Sequence, residues 1–276
     1  MGNDQPLSLM RLTRQLIQEY LGTDKIKGWQ IIGDIIIINI PKELEYRKTS
    51  IGNALLKLYP RCKSVLMNKG ISGEFRIPER ELIAGIETET IHKEHGCFFK
   101  LDASKIMFAK GNLLEKMRMS SYGDNEVVID MFAGIGYFSI PIAVHSRPKK
   151  IISIELNPIA FHYLKENIKL NKVENIIKPI LGNCKYITPV KVADRVIMGY
   201  IKTTHHFLKP AILALKSGGV LHYHETTPKH LIPARPIQRI KKVAEELGSE
   251  VKILKINKVK KYAPGILHIV VDARVH

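Results

Sequence analysis

From about Leu101 onward, short runs of branched apolar residues alternate with stretches of helical spacing, which confines this chain to a parallel sheet with helices on its two faces. The spacing predicts strands over 127–130, 151–155, 176–180, 195–198 and 220–224. Helices are predicted over 137–145, 158–170 and 203–215. The second of these opens with Asn157 as N-cap and Pro158 at the first helical position, where a missing amide hydrogen costs nothing. Two more strands, over 251–256 and 267–273, are joined through Tyr262-Ala-Pro-Gly265 and bring the count to seven with a terminal hairpin.

The first predicted strand runs into Asp130-Met-Phe-Ala-Gly134-Ile-Gly136, a glycine turn at the carboxyl end of a buried strand, where α/β enzymes hold nucleoside cofactors. Glycine permits a tight turn and a close backbone approach to a ligand. Glu155 ends the next strand, at roughly the 20-residue distance expected of a carboxylate that binds a ribose diol. Ser139 stands where a dinucleotide fingerprint has its third glycine, and no G-x-x-x-x-G-K-[ST] phosphate loop is present. The pattern therefore favours S-adenosylmethionine. A nicotinamide site and a turn that only packs a helix onto the sheet are the competing readings.

The ends of the later strands supply further candidates. Asn183 and Cys184 end the third strand, where an adenine edge is expected, although an asparagine there also suits a turn. Met198-Gly199-Tyr200 ends the fourth, pointing at the transferred group, and lacks the Asn-Pro-Pro-aromatic sequence with which base methyltransferases grip an amine. His205 follows directly and is a candidate for orienting the substrate or handling its proton. His222 and His224 share one strand face, but histidines at strand ends often only hydrogen-bond, and no metal site is expected. Lys116 and Arg118, on a predicted helix ahead of the sheet, are placed to meet a carboxylate or an RNA phosphate, or to lie on a solvated basic face.

Residues 1–100 read as a small mixed α/β domain: an amphipathic helix over 7–21, two Ile-rich runs around Gly33-Asp34 as a hairpin, a helix over 51–59, and polar, short-stranded sequence through His95. With 43 Lys and Arg against 26 Asp and Glu, the net charge of +17 favours a polyanionic partner, and on charge alone RNA, DNA and anionic membrane stay open. Three scattered cysteines, with no C-x-x-C spacing, suggest neither zinc nor a disulfide framework and fit a reducing, cytoplasmic setting. The longest apolar runs are far too short to span a bilayer.

Five segments together resemble the archaeal transferases that build wybutosine-type bases in phenylalanine tRNA, relatives of the methyltransferases that act on the guanosine beside the anticodon. They are Gly70-Ile-Ser-Gly-Glu-Phe-Arg76, Met107-Phe-Ala-Lys-Gly-Asn112 with Glu115-Lys-Met-Arg118, Asp130 to Gly136, Val196-Ile-Met-Gly-Tyr200 and Lys261-Tyr-Ala-Pro-Gly265. The resemblance implies a class I methyltransferase-type, Rossmann-like seven-stranded domain over 101–276, behind an N-terminal tRNA-binding α/β domain over 1–100. It also implies transfer of the 3-amino-3-carboxypropyl group of S-adenosylmethionine to C7 of 4-demethylwyosine in the anticodon stem-loop, by a monomer. Cofactor contacts are expected from Ala109, Lys116, Asp130, Phe132, Gly134, Gly136, Glu155, Asn183, Cys184 and Met198. Catalytic roles are expected from His205, Tyr200 and Arg118. Ala109 departs from the Ser usual in the family, which leaves only its backbone to make a contact. The rivals are tRNA guanine N1-methylation and a non-catalytic RNA-binding module.

Overall fold

The structure, a computed structural model, describes residues 18–26, 28–73 and 77–276. Most of the helix expected over 7–21 falls outside them. The chain divides into two compact units, one of residues up to 92 with 100–108, the other of residues 93–99 and 109–276.

In the first unit, β1 (Trp29–Ile32) and β2 (Ile35–Ile38) form the expected antiparallel hairpin around Gly33-Asp34. A 3₁₀ turn and helix α1 (Lys48–Leu58) then cross over to β3 (Ser64–Ser72), which pairs parallel with β2, and β4 (Ile77–Gly85) completes the order β1-β2-β3-β4. Ile51 and Leu55 lie one helical turn apart on α1 and are buried with Ile36, Ile38, Val65 and Met67, which seals the helix onto one sheet face. Strands β5 (Glu89–Glu94) and β6 (Cys97–Asp102) form a separate two-stranded ribbon turning at His95-Gly96, and its tip, residues 93–99, belongs to the second unit.

The second unit opens with α2 (Leu113–Ser120) and is built on a seven-stranded sheet. Its strands are β7 (Val127–Asp130), β8 (Lys150–Glu155), β9 (Ile177–Leu181), β10 (Ala193–Met198), β11 (Leu215–Pro228), β12 (Val251–Ala263) and β13 (Ile266–Val275). The order β12-β13-β11-β10-β7-β8-β9, antiparallel only at β13, is that of the class I methyltransferase fold. Val128, Ile129, Ile152, Ile154, Val196 and Ile197 are buried because both faces of a parallel sheet are covered. Helices α3 (Ser139–His145) and α4 (Pro158–Leu170) link β7, β8 and β9, and the Asn157 side chain accepts the amide hydrogen of Ile159 at 2.9 Å as expected of the N-cap.

Several elements differ from the sequence reading. Helix α3 begins at Ser139 because Gly136, at φ +100°, still belongs to the turn. The helix expected over 203–215 is a 3₁₀ turn, Thr204–Phe207, followed by α6 (Leu208–Ala214). Strand β11 reaches Pro228 because its ladder with β13 continues to Pro228 opposite Ile266. A short α5 (Cys184–Ile187) and a full α7 (Ala234–Glu246) were not anticipated. No helix among the described residues is long and apolar enough to cross a membrane.

Candidate active site

Strand order reverses between β7 and β10, each of which is flanked on its far side by strands running the same way, and the crevice above their carboxyl ends is where this class of sheet binds ligands. The backbone of the turn after β7 is pinned from both neighbours: Met131 donates to the carbonyl of Ile197 at 3.0 Å, and Ala133 to that of Ile154 at 2.9 Å. Asn167 on α4 donates its side-chain amide to Ile135 from behind. Gly134 and Gly136 both have positive φ, and a side chain at either would overlap the chain's own Tyr137 ring or Ile140. The glycines are thus required by the turn itself, whatever ligand approaches it.

Asp130 is fully buried beneath this turn. Its carboxylate accepts the Ser139 hydroxyl at 2.8 Å and the Phe132 amide at 3.3 Å, while Ser153 donates to Ser139 behind it. Burial pushes its pKa up to about 6 against these hydrogen bonds. Asp130 therefore shapes the loop from inside and presents no surface of its own. Glu155 is placed differently, half-buried at the tip of β8. One carboxylate oxygen accepts the Gly134 amide at 2.7 Å and the other the Asn157 amide at 2.7 Å. The backbone amides fix the group in place, and its two oxygens together keep acceptor capacity beyond these bonds.

At the tip of β9, Asn183 caps α5 by accepting the Lys185 amide at 2.9 Å, and the Cys184 thiol is buried, its pKa pushed up to about 12. Met198 is buried at the tip of β10. Gly199 follows it, and a side chain there would run into the Phe138 ring at 2.7 Å. The Tyr200 ring stacks on Phe132 with centroids 5.3 Å apart, and Phe207 meets Phe132 edge-on at 5.0 Å. The loop that follows is anchored to β11 where Thr226 donates its hydroxyl to the Ile201 carbonyl at 2.8 Å, and Thr204 donates to Tyr200. His205 emerges from this anchored loop with its Nδ1 buried and without a hydrogen-bond partner in the chain. Burial and the neighbouring Arg239 and His206 hold its pKa below the ordinary histidine value, so it is neutral at neutral pH.

Two cationic candidates are otherwise engaged. Arg118 is clasped by Glu115 at 2.6 Å and Asp272 at 2.6 Å and packs on Tyr122. Lys116 is 3% exposed and sits 2.5 Å from Glu94, with the Phe99 and Tyr137 rings beside its ammonium. Its charge is balanced within the chain by that carboxylate. Ala109 lies half-buried just ahead of the turn Lys110–Asn112. His222 is held by Asp272 at Nδ1 and Arg195 at Nε2, so neither nitrogen is available to a metal.

Sequence reasoning missed the group beside His205. Glu225, buried on β11, receives Arg235 and Arg239 of α7 together with the Tyr223 hydroxyl. The signal was the Arg235/Arg239 spacing, which places both on one helix face once α7 is recognised.

A family model described as the TRM5/TYW2 methyltransferase domain matches residues 90–254, and one for the TYW2 N-terminal domain matches residues 10–89. A tRNA(Phe) (4-demethylwyosine(37)-C(7)) aminocarboxypropyltransferase of Methanocaldococcus jannaschii is 49% identical, over 89% of this chain and 97% of its own length. The tRNA (guanine(37)-N(1))-methyltransferase Trm5b of Pyrococcus abyssi is 41% identical, over 90% of this chain and 74% of its own. The crystal structure of M. jannaschii TYW2 in complex with AdoMet superposes with a TM-score of 0.75 at 44% identity, covering 90% of this chain and 99% of that one.

Proposed function

Because the chain belongs to the TRM5/TYW2 methyltransferase family, we propose that it transfers the 3-amino-3-carboxypropyl group of S-adenosylmethionine to C7 of 4-demethylwyosine in tRNA(Phe). The observation that carries this reading over guanine methylation is the tip of β10. Gly199 is packed so closely on Phe138 that no side chain fits there, and the tip offers none of the carboxamide chemistry that grips a ring nitrogen or amine. A carbon nucleophile has no need of it.

The residues present fit the donor. The fixed Glu155 carboxylate has acceptor sites left for ribose hydroxyls, Asn183 and Cys184 border the adenine edge, and the Asp130-supported turn presents its backbone beside them. When bound, S-adenosylmethionine supplies a sulfonium-activated γ-carbon: the C7–Cγ bond forms, the Cγ–S bond breaks with its electron pair going to sulfur as methylthioadenosine leaves, and C7 gives up a proton. His205, neutral and short of one hydrogen-bond partner, orients the tricyclic base or receives that proton. Tyr200 and Phe132 provide an aromatic wall for the base. The enzyme acts as a cytoplasmic monomer on the anticodon arm, and its N-terminal domain adds phosphate contacts consistent with the net charge of +17.

The test is transfer from S-adenosylmethionine labelled separately in the methyl and carboxyl carbons, with tRNA carrying 4-demethylwyosine. Carboxyl label in the RNA, with methyl label in released methylthioadenosine, is the expected result. Methyl label in the RNA would establish the methylation rival, and tRNA binding with no label from either donor the binding module.

A further inference from the structure

The segment Lys261-Tyr-Ala-Pro-Gly265 has no part in the chemistry above, yet it forms the wall of a cavity of about 320 Å³. The cavity lies at the turn between β12 and β13 and is closed on the other side by Lys229, whose amide donates to the Gly265 carbonyl at 3.0 Å. Tyr262 is 42% exposed, Lys229 and Lys261 are exposed, and Ala263, Pro264 and Leu267 supply an apolar floor. Lysines on the edge strand β12 have an ordinary explanation in keeping a sheet edge from pairing with other chains. That explanation accounts for the charge along the strand but not for a concave site that combines an aromatic side chain, an apolar floor and two ammonium groups.

The cavity shares an edge of the sheet with the active site. Met198 is in register with Tyr223, and β11 continues five residues past that point to Pro228, about 17 Å at the usual rise per residue. The loop carrying His205 climbs the same edge as far as Thr226, where Ile201 is anchored. The cavity therefore lies on the same edge of the sheet as that loop, at the turn of the two strands that follow β11 in the sheet order. A polynucleotide that delivers one base to His205 runs along this edge of the sheet with its neighbouring residues in reach of the turn.

We propose that the β12–β13 turn is a subsite for an unpaired nucleotide of the RNA loop flanking the reacting base, with Tyr262 and the apolar floor against the base and Lys229 and Lys261 at its phosphate. This rests on the tRNA reading above. Aromatic stacking tolerates any base, and lysine contacts read only backbone, so the subsite contributes affinity and register rather than sequence choice.

The experiment compares wild type with Tyr262→Ala, Tyr262→Phe and Lys261→Glu, using S-adenosylmethionine and modified tRNA, together with anticodon stem-loops carrying 2-aminopurine at each nucleotide beside the reacting position. Tyr262→Ala is expected to raise KM for tRNA about tenfold to a hundredfold with little change in kcat or cofactor affinity. Tyr262→Phe should keep the wild-type KM. Lys261→Glu should weaken tRNA binding and reduce the logarithmic salt slope by about 0.7 for the lost contact. One 2-aminopurine position should change its fluorescence on binding wild type but not Tyr262→Ala. A KM for Tyr262→Ala within twofold of wild type, or an equal loss of cofactor and tRNA affinity, would overturn the subsite. Failure of the chemistry is separable: wild type that binds tRNA in a Tyr262-dependent way but transfers no carboxyl label leaves the subsite standing and removes the proposed reaction.

Discussion

Helix α2 and the β12–β13 hairpin are both rich in basic residues, and the fold treats them in opposite ways. On α2, Arg118 and Lys116 point inward, where Arg118 is enclosed by Glu115 and Asp272 and Lys116 by Glu94. At the hairpin, Lys261 and the neighbouring Lys229 are exposed around a cavity, and Lys258 is exposed farther along β12. The difference lies in desolvation. A cation removed from water must be repaid by a carboxylate in good geometry, and once repaid it is no longer available to a ligand; a cation left in water stays available. The net charge of +17 is thus an unreliable guide to where an anion binds, because part of the positive charge is already spent inside.

The comparison is broken most severely by removing a partner from the buried side. Asp272 accepts from Arg118, from His222 at 2.6 Å and from Asn257 at 3.0 Å, so Asp272→Ala leaves a buried guanidinium and a buried imidazole each short of a partner. Urea denaturation should show a loss of about 3 to 5 kcal/mol. A loss below about 1 kcal/mol would show that the network is solvated and Arg118 freer than its contacts suggest.

Asp130 sharpens the same point with a single buried charge. Its folded pKa of about 6 lies above an unfolded value of about 3.9, so the native state binds the proton more tightly. Any favourable contribution is complete below pH 4, and a penalty grows as pH rises through 6, reaching about 3 kcal/mol for a shift of about two units. Relative to wild type, Asp130→Asn should therefore gain stability between pH 4 and pH 7, by up to that amount. A pH-independent difference between the two proteins would mean that the Ser139 and Phe132 hydrogen bonds already cancel the cost of burial.

Glu155 stands between the two extremes, anchored by backbone amides yet half-open. Glu155→Ala should weaken S-adenosylmethionine binding about tenfold to a hundredfold, the range for hydrogen bonds to a charged group, and change tRNA affinity far less. Calorimetric titration with each ligand checks this, and equal losses would remove Glu155 from the cofactor site.

These fates were unequally legible in the sequence. Strand β7 and helix α4 could be placed to the residue because their signals are local: a branched run ending in Asp130, and Asn157-Pro158 opening a helix. Strand β11 was read short because its last residues, Glu225 to Pro228, are held by the distant β13 rather than by their own composition. Helix α7 was missed although Pro236, Ile240, Val243, Ala244 and Leu247 mark a buried face, since Pro233 and Pro236 resemble loop punctuation until one sees that proline suits a first helical turn. Glu155 and the glycine turn were found through spacing. The enclosure of Arg118 was not, because Asp272 lies more than 150 residues away and nothing in either segment announces the other.

The smallest expected effect tests the exposed side of the comparison. Lys258 lies on the edge strand β12, exposed, where its removal breaks no buried contact. Lys258→Gln should alter folding stability by no more than about 0.5 kcal/mol. If the hairpin edge runs along the RNA, the same change should lower the slope of log affinity against log salt by about 0.7. Measured together, the two quantities separate the roles of an edge lysine. An unchanged slope with unchanged stability would leave Lys258 to the protection of a sheet edge and confine the RNA to the cavity at Lys229 and Tyr262. A reduced slope would extend the phosphate track down the strand, making the hairpin lysines available in a way that Arg118 and Lys116 are not.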